Sequence, residues 1–83
     1  MKKILIEIAS PAAGLTYDMF VPDTLQIGEL ARLVCEVFRK MSDGMYNGSE
    51  PPMLCTAADG NVLEPSGTVK SSGIGNGARL ILF

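Results

Sequence analysis

Between Leu25 and Met41 the apolar residues fall at Ile27, Leu30, Leu33, Val34, Val37, Phe38 and Met41. That spacing is one stripe along an α-helix. No other long stretch of the chain has this period, and before it the pattern is alternation. A lone amphipathic helix has no second helix to pack on, so its stripe needs a sheet.

The flanking segments supply one. Ile4, Ile6 and Ile8 share one face of a strand over residues 4–8, with Leu5 and Glu7 on the other. Ser10 to Gly14 is a turn cluster. Leu15, Tyr17, Met19 and Val21 then alternate along a second strand, completing a hairpin. Pro22-Asp23-Thr24 ends it, with Asp23 or Thr24 placed to cap the helix. Glu29, Arg32, Glu36, Arg39 and Lys40 occupy the polar face of the helix, and Cys35 falls at the edge of the apolar arc. Gly28 costs about 1 kcal/mol relative to alanine within a helix. It is expected where the sheet comes too close for a side chain.

Residues 42–52 are polar and glycine-rich and end in two prolines, which predicts an exposed loop. Met53 to Thr56 reads as a short strand, Asp59-Gly60-Asn61 as a turn, and Val62-Leu63 as a brief extended stretch. Pro65-Ser66-Gly67 turns again, and residues 68–74 are irregular or form a single helical turn. Arg79 to Phe83 is a final strand. The predicted order is β-β-α-β-β-β. It describes an α+β domain over residues 1–83, with a mixed sheet of four to five strands and one helix packed across one face.

The bulk properties exclude several functions. The net charge is −2, and seven Lys and Arg are spread along 83 residues, so no clustered basic surface for nucleic acid is expected. No apolar run approaches the ~18 residues that span a bilayer, so direct membrane insertion is not expected. The opening MKKILIEIAS imitates a signal peptide until Glu7 interrupts it. Two cysteines, Cys35 and Cys55, are too few for a disulfide scaffold and fit a reduced cytoplasmic pair. The chain has no histidine, which removes His-activated nucleophiles and the usual zinc sites.

Specific motifs are equally sparse. Gly73-Ile74-Gly75-Asn76-Gly77 lacks the preceding strand and following helix of a phosphate loop, so it reads as a tight turn before a strand. Asn47-Gly48-Ser49 matches a glycosylation acceptor by chance. Asp18, Asp23, Asp43 and Asp59 lie in turns or on strand exteriors without calcium-loop spacing. No catalytic residue, cofactor site or metal site is expected, and the chain does not read as an enzyme. The positions facing away from the helix are different in kind. Leu5, Phe20, Ile81 and Phe83, with Cys55, are mostly large and apolar, which on neighbouring strands marks a protein-binding face.

From the strand order, the helix after Val21-Pro22-Asp23-Thr24, and the stretch Asp59-Gly60-Asn61-Val62-Leu63, the chain resembles a ubiquitin-like domain. The ending, from Thr68-Val69 through Gly73-Ile74 to Leu80 and Leu82, has the same form. The segments Ser72-Gly73-Ile74, Asn76-Gly77 and Arg79-Leu80, with Tyr17-Asp18-Met19 and Val21, are most similar to the YukD/EsaB family of small bacterial ubiquitin-like proteins. That family accompanies type VII (ESX-like) secretion systems. The resemblance implies a β-grasp fold and a cytoplasmic, non-catalytic docking module whose partner is a secretion-system membrane ATPase or core subunit. A conjugated ubiquitin continues beyond this strand into a tail ending in Gly-Gly, whereas this sequence ends at Phe83, so conjugation and sulfur transfer are not expected. Alternation, and analogy with ubiquitin's apolar sheet patch, nominate Leu5, Phe20, Met53, Cys55, Ile81 and Phe83 as contact residues. Two alternatives accompany this reading: a self-associating structural protein whose apolar face closes a homodimer, and a carrier or modifier processed from a longer precursor.

Overall fold

The computed structural model describes residues 2–11, 14–42 and 52–83. Most of the expected 42–52 loop, with the Asn47 acceptor and Asp43, lies outside the described residues. The elements are β1 (Lys3–Ser10), β2 (Leu15–Pro22), α1 (Ile27–Met41), β3 (Leu54–Thr56) and β4 (Ala78–Leu82). They form a four-stranded sheet in the order β2-β1-β4-β3. β1 pairs antiparallel with β2 and parallel with β4, and β3 pairs antiparallel with β4, so the sheet is mixed. The expected fifth strand reduces to a single bridge between Val62 and Cys55. Pro65 follows within three residues and offers no N–H to extend a ladder.

The alternation in β1 sorts its residues as expected. Ile4, Ile6 and Ile8 are buried against the helix, whereas Leu5, Glu7 and Ala9 are half-exposed on the other face. Register carries that division across the sheet: Ile8 lies beside Leu80, and Leu54 beside Leu82, all buried. Along β2 the inward set is less well covered. Val21 is buried and Leu15 and Met19 pack partly on the core, but Tyr17 is 36% exposed.

The helix buries Ile27, Leu30, Ala31, Val34, Cys35 and Phe38. Leu33 and Met41, assigned to the stripe by spacing, are each 44% exposed. The buried arc is rotated toward the side carrying Gly28, Ala31 and Cys35, whose small side chains permit close packing. A Cβ on Gly28 would lie 3.3 Å from the Pro65 carbonyl oxygen. The close neighbour of Gly28 is therefore the segment after β3 and not the sheet, as its spacing had suggested.

The start of the helix also differs from expectation. Neither Asp23 nor Thr24 is its cap; Gln26 holds that position and makes no side-chain capping bond. The first amides are satisfied by main-chain carbonyls instead: Ile27 N–H donates to Gly67 O at 2.8 Å and Gly28 N–H to Pro65 O at 3.0 Å. The following turn locks itself reciprocally. The Thr68 amide donates to Ser71 Oγ at 2.9 Å and the Ser71 amide to Thr68 Oγ1 at 3.0 Å. This positions Val69 and Ile74 in the core.

Candidate functional site

The face of the sheet away from the helix can be built row by row from the register. At one end Phe20 of β2 stands beside Leu5 of β1. Phe20 is 67% exposed and Leu5 is half-buried. Beyond Leu5 the next position is Gly77, whose amide donates to Leu5 O at 2.8 Å. Gly77 has a φ of +85°, a conformation open to glycine and strained for other residues. It contributes no side chain, and a shallow hollow of about 200 Å³ lies there, lined by Leu5, Ile6, Glu7, Asp18, Gly77 and Arg79.

The Leu5 amide itself donates to Asn76 Oδ1 at 2.7 Å. A side-chain carboxamide thus takes the place of the next backbone acceptor in the parallel ladder. The turn before β4 is shaped as the glycines had suggested, with the asparagine adding a bond that composition did not reveal.

The second row is charged. Asp18, Glu7 and Arg79 are successive neighbours on β2, β1 and β4. Arg79 Nε lies 3.2 Å from Glu7 Oε2, with the Arg79 side chain largely solvated and that of Glu7 partly so, which places the pair among those worth up to about 1 kcal/mol.

Apolar character returns in the third row, where Ala9, Ile81 and Cys55 adjoin. Met53 and Phe83 follow. Their main chains exchange hydrogen bonds, Phe83 N–H to Met53 O at 2.8 Å and Met53 N–H to Phe83 O at 3.2 Å. Phe83 is 42% exposed, Met53 is 43% exposed and Ile81 is half-buried.

The six nominated residues therefore do not form one surface. Leu5 and Phe20 stand at one end and Ile81 and Phe83 at the other, with the Asp18–Glu7–Arg79 row between them, while Met53 sits at the β3 edge and lines hollows with Gly28, Pro52 and Pro65. Cys55 is withdrawn from the accessible set: it shares the outward face with Ile81 by register but is only 4% exposed. The reason is its small side chain, flanked by Ile81 on one side and on the other by Val62, which bridges to it. Val62 is 61% exposed and was not nominated. The Asp59-Gly60-Asn61 turn and the extended Val62-Leu63 announce the return of the chain, but not that Val62 comes to lie opposite Cys55.

Among the described residues, the turn at residues 56–61 holds the carboxylate most affected by its surroundings. Asp59 accepts hydrogen bonds from the Thr56 hydroxyl, from the Asn61 amide at 3.3 Å and from Asn61 Nδ2 at 3.0 Å. The Thr56 hydroxyl, and then the Asn61 N–H, hold its carboxyl below the usual aspartate range. These bonds are local and shape a turn. Among the described residues there is no group of three or more metal-ligating side chains, and no helix is long and apolar enough to cross a membrane.

No protein-family model matches the sequence, and no curated protein matches it. Solved structures do. The ubiquitin of Caldiarchaeum subterraneum superposes with a TM-score of 0.76 at 18% identity, over 98% of this chain and 91% of that one. The EccD5 ubiquitin-like domain from Mycobacterium xenopi gives 0.80 at 17% identity, over 100% and 94%. The ubiquitin-like domain of EccD1, a type VII secretion system protein of Mycobacterium tuberculosis, gives 0.76 at 11% identity, over 99% and 98%. With one helix on one face of a mixed four-stranded sheet in the order β2-β1-β4-β3, the chain has the ubiquitin-like β-grasp fold.

Proposed function

We propose that this protein is a non-catalytic docking module of a bacterial type VII secretion system, akin to the YukD/EsaB proteins, acting in the cytoplasm. Its partner is a subunit of the apparatus, the membrane ATPase or a core component. The observation that carries the reading is the apolar end of the open sheet face. Phe83 is more than two-fifths exposed and Ile81 half-buried on that face, and Met53, the main-chain partner of Phe83, carries the apolar surface round the β3 edge toward Gly28 and Pro65. Adjoining large apolar side chains on a sheet face are more than scattered exposed residues and suit a protein contact. The fold-level likeness to EccD ubiquitin-like domains supports the secretion context, and the lack of histidine is in keeping with a binding role.

The contact is noncovalent in this reading and centres on Phe83, Ile81 and Met53, with Phe20 and Leu5 as a second element across the charged row. The test is recovery of N-terminally tagged protein from its native bacterium, both natively and after denaturation, with companions identified by mass spectrometry. Secretion-system subunits in the native sample alone support docking, and their loss with Phe83→Asp places the contact. Companions that survive denaturation would show covalent attachment and overturn it. A doubled mass by light scattering, abolished by Phe83→Asp, would assign the same face to a homodimer instead.

A further inference from the structure

Two large apolar residues that the fold leaves exposed, Met53 at 43% and Val62 at 61%, border one hollow between the first turns of α1 and the β3 edge. Its inner part, of about 150 Å³, is lined by Gly28, Ala31, Met53, Val62, Leu63 and Pro65. It opens into a wider space of about 460 Å³, with Gln26, Glu29 and Arg32 at the rim. The sequence explains why the space is there. Gly28 and Ala31 are three positions apart on one helix face. They bring the helix backbone close to Pro65 and leave almost no side chain beside it. Pro52 and Pro65 stand as walls, and their ring-fixed backbones resist rotating inward. The hollow is preformed, which lowers the cost of filling it.

The polar groups around it are already engaged. The Gly28 amide donates to Pro65 O at 3.0 Å and the Ile27 amide to Gly67 O at 2.8 Å. At the rim Arg32 Nη1 lies 2.9 Å from Glu29 Oε1, so the two charges cancel. Gln26, whose carboxamide makes no capping bond, adds a neutral donor and acceptor. An ionised guest would lose its water here without finding a counter-charge, whereas a neutral apolar one loses nothing. Size and lining narrow the choice further. An apolar cavity of about 150 Å³ takes a benzene ring, and a thioether such as that of Met53 favours an aromatic neighbour.

We propose that this hollow receives a phenylalanine side chain from a partner protein, with the Gln26 carboxamide bonding the main chain beside that residue. Continuity indicates which partner. Met53 exchanges main-chain hydrogen bonds with Phe83, so a protein covering the Phe83 end of the sheet reaches the hollow by passing round the β3 edge. The partner's identity rests on the docking reading above; the choice of side chain rests on the hollow itself. A second copy is the poorer occupant. It could offer Phe20, which is 67% exposed, but each chain carries a net charge of −2. A contact of Phe20 with this hollow would also be head-to-tail, leaving both surfaces open at the ends.

The experiment is titration of isotopically labelled protein with N-acetylphenylalanine methylamide, followed by methyl and amide NMR. N-acetylalanine methylamide and the free acid N-acetylphenylalanine serve as comparisons. Expected are ring-current shifts at the Met53 and Val62 methyls and the Gly28 amide. The alanine compound should give none, and the free acid should bind no more tightly than the amide. Met53→Ser weakens the phenylalanine probe about fivefold with the circular dichroism kept. Gly28→Ala, which sets a Cβ at the wall, weakens it too and replaces Met53→Ser if the latter unfolds. In native recovery, Gly28→Ala lowers the yield of companions. The titration needs no partner, so the hollow and the docking face can fail separately. Equal shifts from the alanine and phenylalanine probes, tighter binding of the free acid, or recovery unchanged by Gly28→Ala overturns the proposal. So do contacts in the free protein from a side chain of residues 43–51 to Gly28, or a doubled mass that Phe20→Ser abolishes, because the chain itself or a second copy would then hold the hollow.

Discussion

Gly28 illustrates how a single residue can be decided by a distant one. In an exposed helix, replacing glycine with alanine gains about 1 kcal/mol. Here the added Cβ would sit 3.3 Å from the Pro65 carbonyl oxygen, an atom fixed by its own bond to the Gly28 amide. Gly28→Ala is therefore expected to yield none of that gain. Gly28→Val should cost about 1–3 kcal/mol as an overpacked contact, read from denaturant midpoints. Asp59 offers a second test at this scale. Its carboxyl is held low by the Thr56 hydroxyl and then the Asn61 N–H, so the ionised form is favoured in the folded state. The resulting stability is present above the unfolded value of about 4 and is lost as pH falls through the lower folded value. Wild type should thus exceed Asp59→Asn in stability at neutral pH, and the gap should close in acid. A gap that is constant with pH would mean the carboxylate's charge is irrelevant to the turn.

At the scale of elements, the join between β1 and β4 depends on a side chain as well as on the ladder. Asn76→Ala removes the acceptor of the Leu5 amide and should cost about 1 kcal/mol. Asn76→Asp, which keeps an acceptor oxygen, should lose less. Hydrogen exchange at Leu5 reports the same change directly. The elements themselves were largely legible in the sequence, because alternation in β1 and the helical stripe are short-range patterns. What was not legible arises where distant segments meet. Leu33 satisfies the spacing of the stripe, but Gly28, Ala31 and Cys35 let the helix settle toward Pro52 and Pro65, which turns Leu33 outward. Cys55 alternates outward as read, but Val62 returns to bridge it and closes its exposure. The charged row is likewise a product of register: Glu7 and Arg79 are 72 positions apart and adjoin only because the first and last strands lie parallel. Outward apolar positions could thus be nominated one by one, while their division into two ends could not.

For the molecule as a whole, β4 is where stability and the proposed docking meet. It lies between β1 and β3, with Leu80 and Leu82 buried beneath the helix layer and Ile81 facing the open side. Phe83, immediately after the strand, is 42% exposed. A domain of this length has about 4–12 kcal/mol of stability at typical values per residue. Leu80→Ala should remove about 2–5 kcal/mol of it through lost burial and a residual cavity, a large fraction of the total. Phe83→Asp changes a side chain already half in water and keeps the main-chain bonds to Met53, so its denaturation midpoint should stay near wild type. The two substitutions lie three residues apart and are expected to separate cleanly. Leu80→Ala lowers the midpoint and weakens partner recovery only as far as it depletes folded protein. Phe83→Asp abolishes recovery at an unchanged midpoint. An equal loss of stability in both variants would place Phe83 in the core, and the open face would then lose its most exposed aromatic anchor at that end.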